Sequence, residues 1–315
     1  MALKQVLEVY ELMDSPQVDG EQIKKLLLDA GLDDVKSERI EGPKGYTDFV
    51  KVVVPGRNGK KSGGKAPTLG IIGRLGGLGA RPERIGFVSD GDGAAVAIAA
   101  ALKLARMHSL GDILAGDVVI STHICPHAPT RPHDPVPFMD SPVDIATMNK
   151  YEIDPTMDAI LSVDTTKGNR IVNHRGFAIS PTVKEGYILR VSEDLLDIMS
   201  ITTGRFPVVF AITTQDITPY GNDVFHLNSI LQPSTATAAP CVGVAITTET
   251  PVPGCATGAS HACDLEEAVR FVIEVAKVFG EGKCSFYDEA EYQRLLTLYG
   301  SLSHFQTLGQ QGQRE

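Results

Sequence analysis

Residues 94–122 read AAVAIAAALKLARMHSLGDILAGDVVIST, and the two ends of this stretch decide the class of fold. AAVAIAAALKLARMH is a strongly apolar helix pattern, and GDVVIST is a short strand apolar on both faces. Working outward, the alternation continues. MDAILSVD (157–164) reads as a strand, SEDLLDIMSITTG (192–204) as a helix, FPVVFAITT (206–214) and PCVGVAITTE (240–249) as strands, and DLEEAVRFVIEVAKVFGEG (264–282) as a long amphipathic helix. Upstream lie the strands TLGIIG (68–73) and DFVKVVVPG (48–56), preceded by two helices, LKQVLEVYELM and GEQIKKLLLDAGL. Asp19 and Gln22 have capping-box spacing, and Gly31 suits a helix stop. Val- and Ile-rich strands alternating with helices predict an α/β fold: a mostly parallel central sheet flanked by helices on both faces, in one domain. Within it, residues 1–40 read as a helical segment packed on the core, 41–285 as the α/β domain, and 286–315 as a C-terminal helix and tail.

The chain has 315 residues, 43% hydrophobic and 22% charged, with a formal net charge of -10. That is the composition of a folded protein, and its acidity argues against nucleic acid or an anionic membrane as partner. No apolar run reaches the roughly 18–20 residues of a membrane span, and the N-terminal amphipathic pattern is not a signal peptide. The five cysteines have no CxxC pairing, which fits reduced thiols and a cytoplasmic location.

In a parallel sheet, polar groups at the carboxyl ends of strands converge on the ligand crevice. Residues 121–134, STHICPHAPTRPHD, crowd three histidines and an aspartate at such an end. The same rule selects Asp90, Asp164, Asn222, Asp223 and His261, the residue types of a carboxylate–imidazole metal centre. Alternatives stay open: Asp90 also suits an N-cap, Asp92 rivals it, and His127 suits an ordinary loop. His133 and Asp134 lie in a Pro-rich loop and read as structural. The Gly-rich RLGGLG lacks the Lys and Ser/Thr ending of a phosphate loop.

Seven segments in order resemble the co-catalytic zinc aminopeptidase superfamily, closest to its tetrahedral and glutamyl aminopeptidase branch. They are PTLGIIGRLGGLG, DGDGAAVAIAAAL, LAGDVVISTHICPHAP, AILSVD, RGFAISPTVKEG, YGNDV and VGVAITTETPVPGCATGASHACDLEEA, and the likeness spans residues 40–280. The resemblance implies that Asp90, Asp164 and His261 are metal ligands, with His127 substituting for a metal-binding glutamate. The chain also departs from the pattern. Arg74 stands where the first metal histidine belongs, Gly76 where an aspartate comes next, and Pro126 where the catalytic glutamate belongs; the branch's large insert domain is missing between Gly79 and Asp90.

The resemblance implies a metal-dependent hydrolase of a small amide or peptide, with one divalent ion, zinc, and a homo-oligomeric assembly. His123 would stand in for the missing base. Arg74 would fill the vacated metal position as a fixed charge, grip a substrate carboxylate, or form a structural salt bridge. Asn222 and Asp223 would contact substrate. The alternative is a non-hydrolytic binding or regulatory protein using the old cleft.

Overall fold

The computed structural model describes residues 1–15, 17–74, 87–132, 138–212, 229–252 and 260–306, without the side chains of Arg131 and Phe138. Helices α1 (Leu3–Met13) and α2 (Gly20–Asp29) come first, then strands β1 (Asp34–Gly42), β2 (Gly45–Val54) and β3 (Leu69–Gly73). Helix α3 (Asp92–Ser109) leads to β4 (Val118–Ile124), a small ribbon of β5 (Thr130–Arg131) with β6 (Phe138–Met139), helix α4 (Ile145–Glu152) and β7 (Ala159–Thr165). Next are β8 (Gly176–Ile179), β9 (Val183–Lys184), β10 (Tyr187–Ile188), α5 (Glu193–Thr203), a 3-10 segment Ser229–Thr235, β11 (Cys241–Thr247), α6 (Ala262–Gly280) and α7 (Glu289–Tyr299).

The main sheet runs β1-β2-β4-β3-β7-β11-β9-β10, with β8 also paired to β11. Its centre, β4, β3, β7 and β11, is parallel, and antiparallel strands finish both flanks. Strand alternation divides the side chains between two cores. Leu69, Ile71, Leu161, Val163, Val242 and Val244 face α3, α6, α5 and α1. Ile72, Val119, Ile160, Cys241 and Ala245 face the other way, against the 3-10 segment. This is the α/β sheet with helical cover on both sides that the alternation predicts. No helix of the described residues is long and apolar enough to cross a membrane.

The N-terminal helices join the first core. Val6, Val9 and Met13 of α1 are buried with residues of α3 and α6. Asp19 caps α2 by accepting a hydrogen bond from the Gln22 backbone N–H at 2.9 Å, and Gly31 adopts φ +94° just beyond the helix end.

Two local readings change. Residues 34–42, which carry no apolar strand pattern, form β1, an edge strand paired antiparallel to β2. The sequence there, DVKSERIEG, is mostly polar and only Val35 is buried, as suits a sheet edge. Conversely, the apolar content of FPVVFAITT predicts a strand that the structure does not bear out. Within its described part only Val209 makes a bridge, to Ile179, and Phe206 is 94% exposed. Pro207 removes a ladder donor there.

Candidate active site

Two polar assemblies stand at the carboxyl ends of the parallel strands. The first lies on the face covered by α4. Alternation carries Arg74 to the same side as Ile72, and Ser121 and His123 to the same side as Val119. Arg74 is 2% exposed. Its Nη1 donates to Glu152 Oε2 at 2.6 Å and to Asn149 Oδ1 at 3.2 Å, and its Nη2 donates to Gln232 Oε1 at 3.0 Å. Glu152, fully buried at the end of α4, also pairs through Oε1 with His123 Nδ1 at 2.8 Å, and its backbone carbonyl accepts from Ser121 Oγ at 2.6 Å. Burial alone would raise the Glu152 pKa, but the Arg74 charge and the His123 hydrogen bond outweigh it and hold the carboxyl below its ordinary range.

The second assembly gathers at the start of α3. Gly93 makes the approach possible: a Cβ there would lie 2.5 Å from the backbone oxygens of both Arg74 and Val163. The helix therefore begins hard against the ends of β3 and β7, with Asp92 fully buried. Asp92 Oδ2 accepts from Lys167 Nζ at 2.8 Å, and Oδ1 accepts from the Ser260 hydroxyl. Lys167 rises from the loop after β7. That loop is pinned to the one after β11, where Gly168 N–H donates to Thr248 Oγ1 at 3.0 Å. The Lys167 side chain is only 6% exposed.

Asp90 occupies the 3-10 turn Ser89–Gly91 before α3 and caps nothing, since α3 has no side-chain cap. It is buried, and its Oδ2 has no hydrogen-bond partner among the described residues. Burial, reinforced by the neighbouring Asp92 charge and partly offset by Lys167, pushes its pKa up to about 7. Burial likewise raises Asp92, against the pull of Lys167, Ser260 and His261.

The residues singled out by sequence divide between these assemblies and the surface. Asp90 belongs to the second assembly, with His261 exposed beside it at the N-cap of α6 and felt electrostatically by Asp92. Asp164 is buried at the end of β7, its Oδ1 accepting from the Thr165 N–H at 2.7 Å. His127 is exposed beyond β4. Arg74 and His123 belong to the first assembly and share Glu152. Gly76, His133, Asp134, Asn222, Asp223 and Cys255 lie outside the described residues. Cys125, Cys241 and Cys284 are buried and free, and burial pushes each thiol up to about 12. Cys263, in the first turn of α6, is free and exposed.

A divalent zinc needs about four ligand atoms within roughly 2.0–2.3 Å. Both Asp92 oxygens are engaged by Lys167 and Ser260. Among the described residues no group of three or more His, Cys, Asp or Glu is placed to hold a metal ion. The described donors therefore do not fit the ion that the resemblance implies.

Sequence reasoning misses Lys167, Ser260, Glu152 and Gln232. Lys167 alone has a readable signal, since it comes two residues after the carboxyl end of the parallel strand β7. Glu152 closes a short helix whose pattern announces nothing.

Among solved structures, the chain is similar to the cytosol aminopeptidase of Coxiella burnetii, at 15% identity over 88% of this chain and 68% of that one, with a TM-score of 0.50. It is also similar to a glutaminyl cyclase from an Acidobacteriales bacterium (12% identity, 89% and 94% covered, TM-score 0.49) and to the LapA aminopeptidase of Legionella pneumophila (11%, 91% and 73%, 0.49). The first likeness shows a shared aminopeptidase fold. No curated protein sequence matches. A family model does match, over residues 38–309, and the chain therefore belongs to the family described as "Protein of unknown function (DUF1177)".

Proposed function

We propose that the chain is a hydrolase of a small amide or peptide, working in the crevice at the start of α3 with Asp90 and Asp92 as its central carboxyls. One observation carries this reading: Asp90 is buried beside Asp92 with its Oδ2 unpartnered among the described residues. A buried carboxyl oxygen without a hydrogen bond is costly to the fold, and such arrangements concentrate at functional sites. The aminopeptidase fold supports the choice of an amide substrate. In the reading, Asp90 takes a proton from the attacking water and returns one to the leaving amine. The neighbouring Asp92 and the burial that raise its pKa suit that exchange near neutral pH.

The resemblance to zinc enzymes would add one divalent ion. Because the described donors do not fit it, no step depends on a metal. A second reading, a non-hydrolytic binding protein, is favoured by Arg74 and His123, both engaged by buried Glu152. Assays of aminoacyl p-nitroanilides and dipeptides separate the two. The hydrolase reading expects turnover by the wild type and a loss of about 100-fold or more in kcat/KM for Asp90→Asn, the usual scale of acid–base catalysis. No turnover across the panel, with or without added zinc, favours the binding protein. Equal turnover by Asp90→Asn removes Asp90 from the mechanism.

A further inference from the structure

Lysine is almost never buried without a strong reason, yet the Lys167 side chain is 6% exposed and anchored on a fully buried Asp92. Its ammonium carries three N–H donors. Among the described residues the hydrogen bond to Asp92 Oδ2 is its one such contact, so two donors stay open in a nearly dry setting. The adjacent Asp90 feels the Lys167 charge and keeps an open oxygen. Ser260 fixes the other Asp92 oxygen, and His261 stands next in the chain, exposed at the N-cap of α6.

We infer that Lys167 is the resident cation of this crevice, held on Asp92 where a divalent ion would otherwise be needed, and that its free N–H donors bind a substrate carbonyl or carboxylate oxygen. A fixed ammonium in a water-poor site stabilises negative charge developing on a carbonyl oxygen, as oxyanion donors do. A lysine acts as a point charge with rotatable donors, so it can hold Asp92 and a ligand oxygen together. The carbonyl half of the inference rests on the hydrolase reading. The cation half does not.

The test uses the full chain and zinc itself as probe. Elemental analysis and titration calorimetry expect no stoichiometric zinc on the wild type. Lys167→Met, which keeps the side-chain length and removes the ammonium, leaves donors that do not fit zinc and is expected to bind none stoichiometrically either. One zinc bound by the wild type overturns the inference. Should Lys167→Met fail to fold, the wild-type melt decides: an unchanged Tm with excess zinc is expected, and a shift of several degrees overturns the inference. Where the wild type turns over, its rate is expected to survive a chelator, while Lys167→Met loses about 100-fold or more in kcat/KM; chelator-sensitive turnover overturns it. Absence of any turnover defeats the hydrolase reading and leaves the zinc arm intact.

Discussion

Asp90 has a folded-state pKa of about 7 against an ordinary value of 3.8. Between those pH values the folded chain keeps a proton that the unfolded chain has released. Stability tied to this group is therefore complete below about 4 and is lost as pH rises to about 7. Asn cannot ionise, so Asp90→Asn should gain on the wild type across that window, by up to a few kcal/mol, and level off above it. Urea melts at pH 4.5, 6 and 8 measure the gain, and a constant difference would contradict the assigned environment. Arg74 makes the opposite prediction. Arg74→Ala leaves Glu152 buried with His123 alone, and breaking such a pair costs about 3–5 kcal/mol. The double variant Arg74→Met, Glu152→Leu should recover much of that stability, which denaturant melts of the three proteins would show. The oddity of Arg74 is legible in the sequence, but its partner is not. Placing it at a metal site treats the end of β3 as facing one crevice, whereas strand alternation sends its side chain to α4.

At the scale of elements, the start of α3 is fixed by the contact of Gly93 with the ends of β3 and β7. All three atoms that an added Cβ would meet are backbone, so relief requires the helix to move. Gly93→Ala should cost about 1–3 kcal/mol, as overpacking typically does, and should draw Asp92 away from Lys167. Denaturant melts read the first effect, and a crystal structure of the variant reads the second. The central strands and long helices are readable because burial on both faces writes itself as unbroken Val, Ile and Ala. Strand β1 and helix α4 are not, since one is a charged edge and the other is only eight residues long. FPVVFAITT misleads for the converse reason: apolar content alone does not supply a ladder when Pro207 interrupts its donors.

For the molecule as a whole, the shared core has a thermodynamic consequence. Val6, Val9 and Met13 of α1 are buried with α3 and α6, each worth about 1.5–3 kcal/mol. Residues 1–40 should therefore melt with the rest, in one calorimetric transition. A chain lacking residues 1–14 should show a Tm lower by many degrees, and a separate low-temperature transition in the intact chain would refute this coupling. The fold class is open to reading because it depends on repetition along the whole sequence. The site is half open: Asp90 can be reached from topology, whereas the Lys167–Asp92 pair requires the loop after β7 and the start of α3 to be seen side by side.

The cysteines give the crevice a chemical handle. Thiolates, not thiols, attack maleimides and iodoacetamide, and Cys125, Cys241 and Cys284 are buried with thiols pushed up to about 12. Cys263 is exposed in the helix that starts just after Ser260 and His261. A fluorophore reacted briefly with the native chain should therefore land on exposed Cys263 and leave those three untouched, as peptide mass mapping would show. The dye would then sit close to the Asp92–Ser260 contact and report by its emission when something enters.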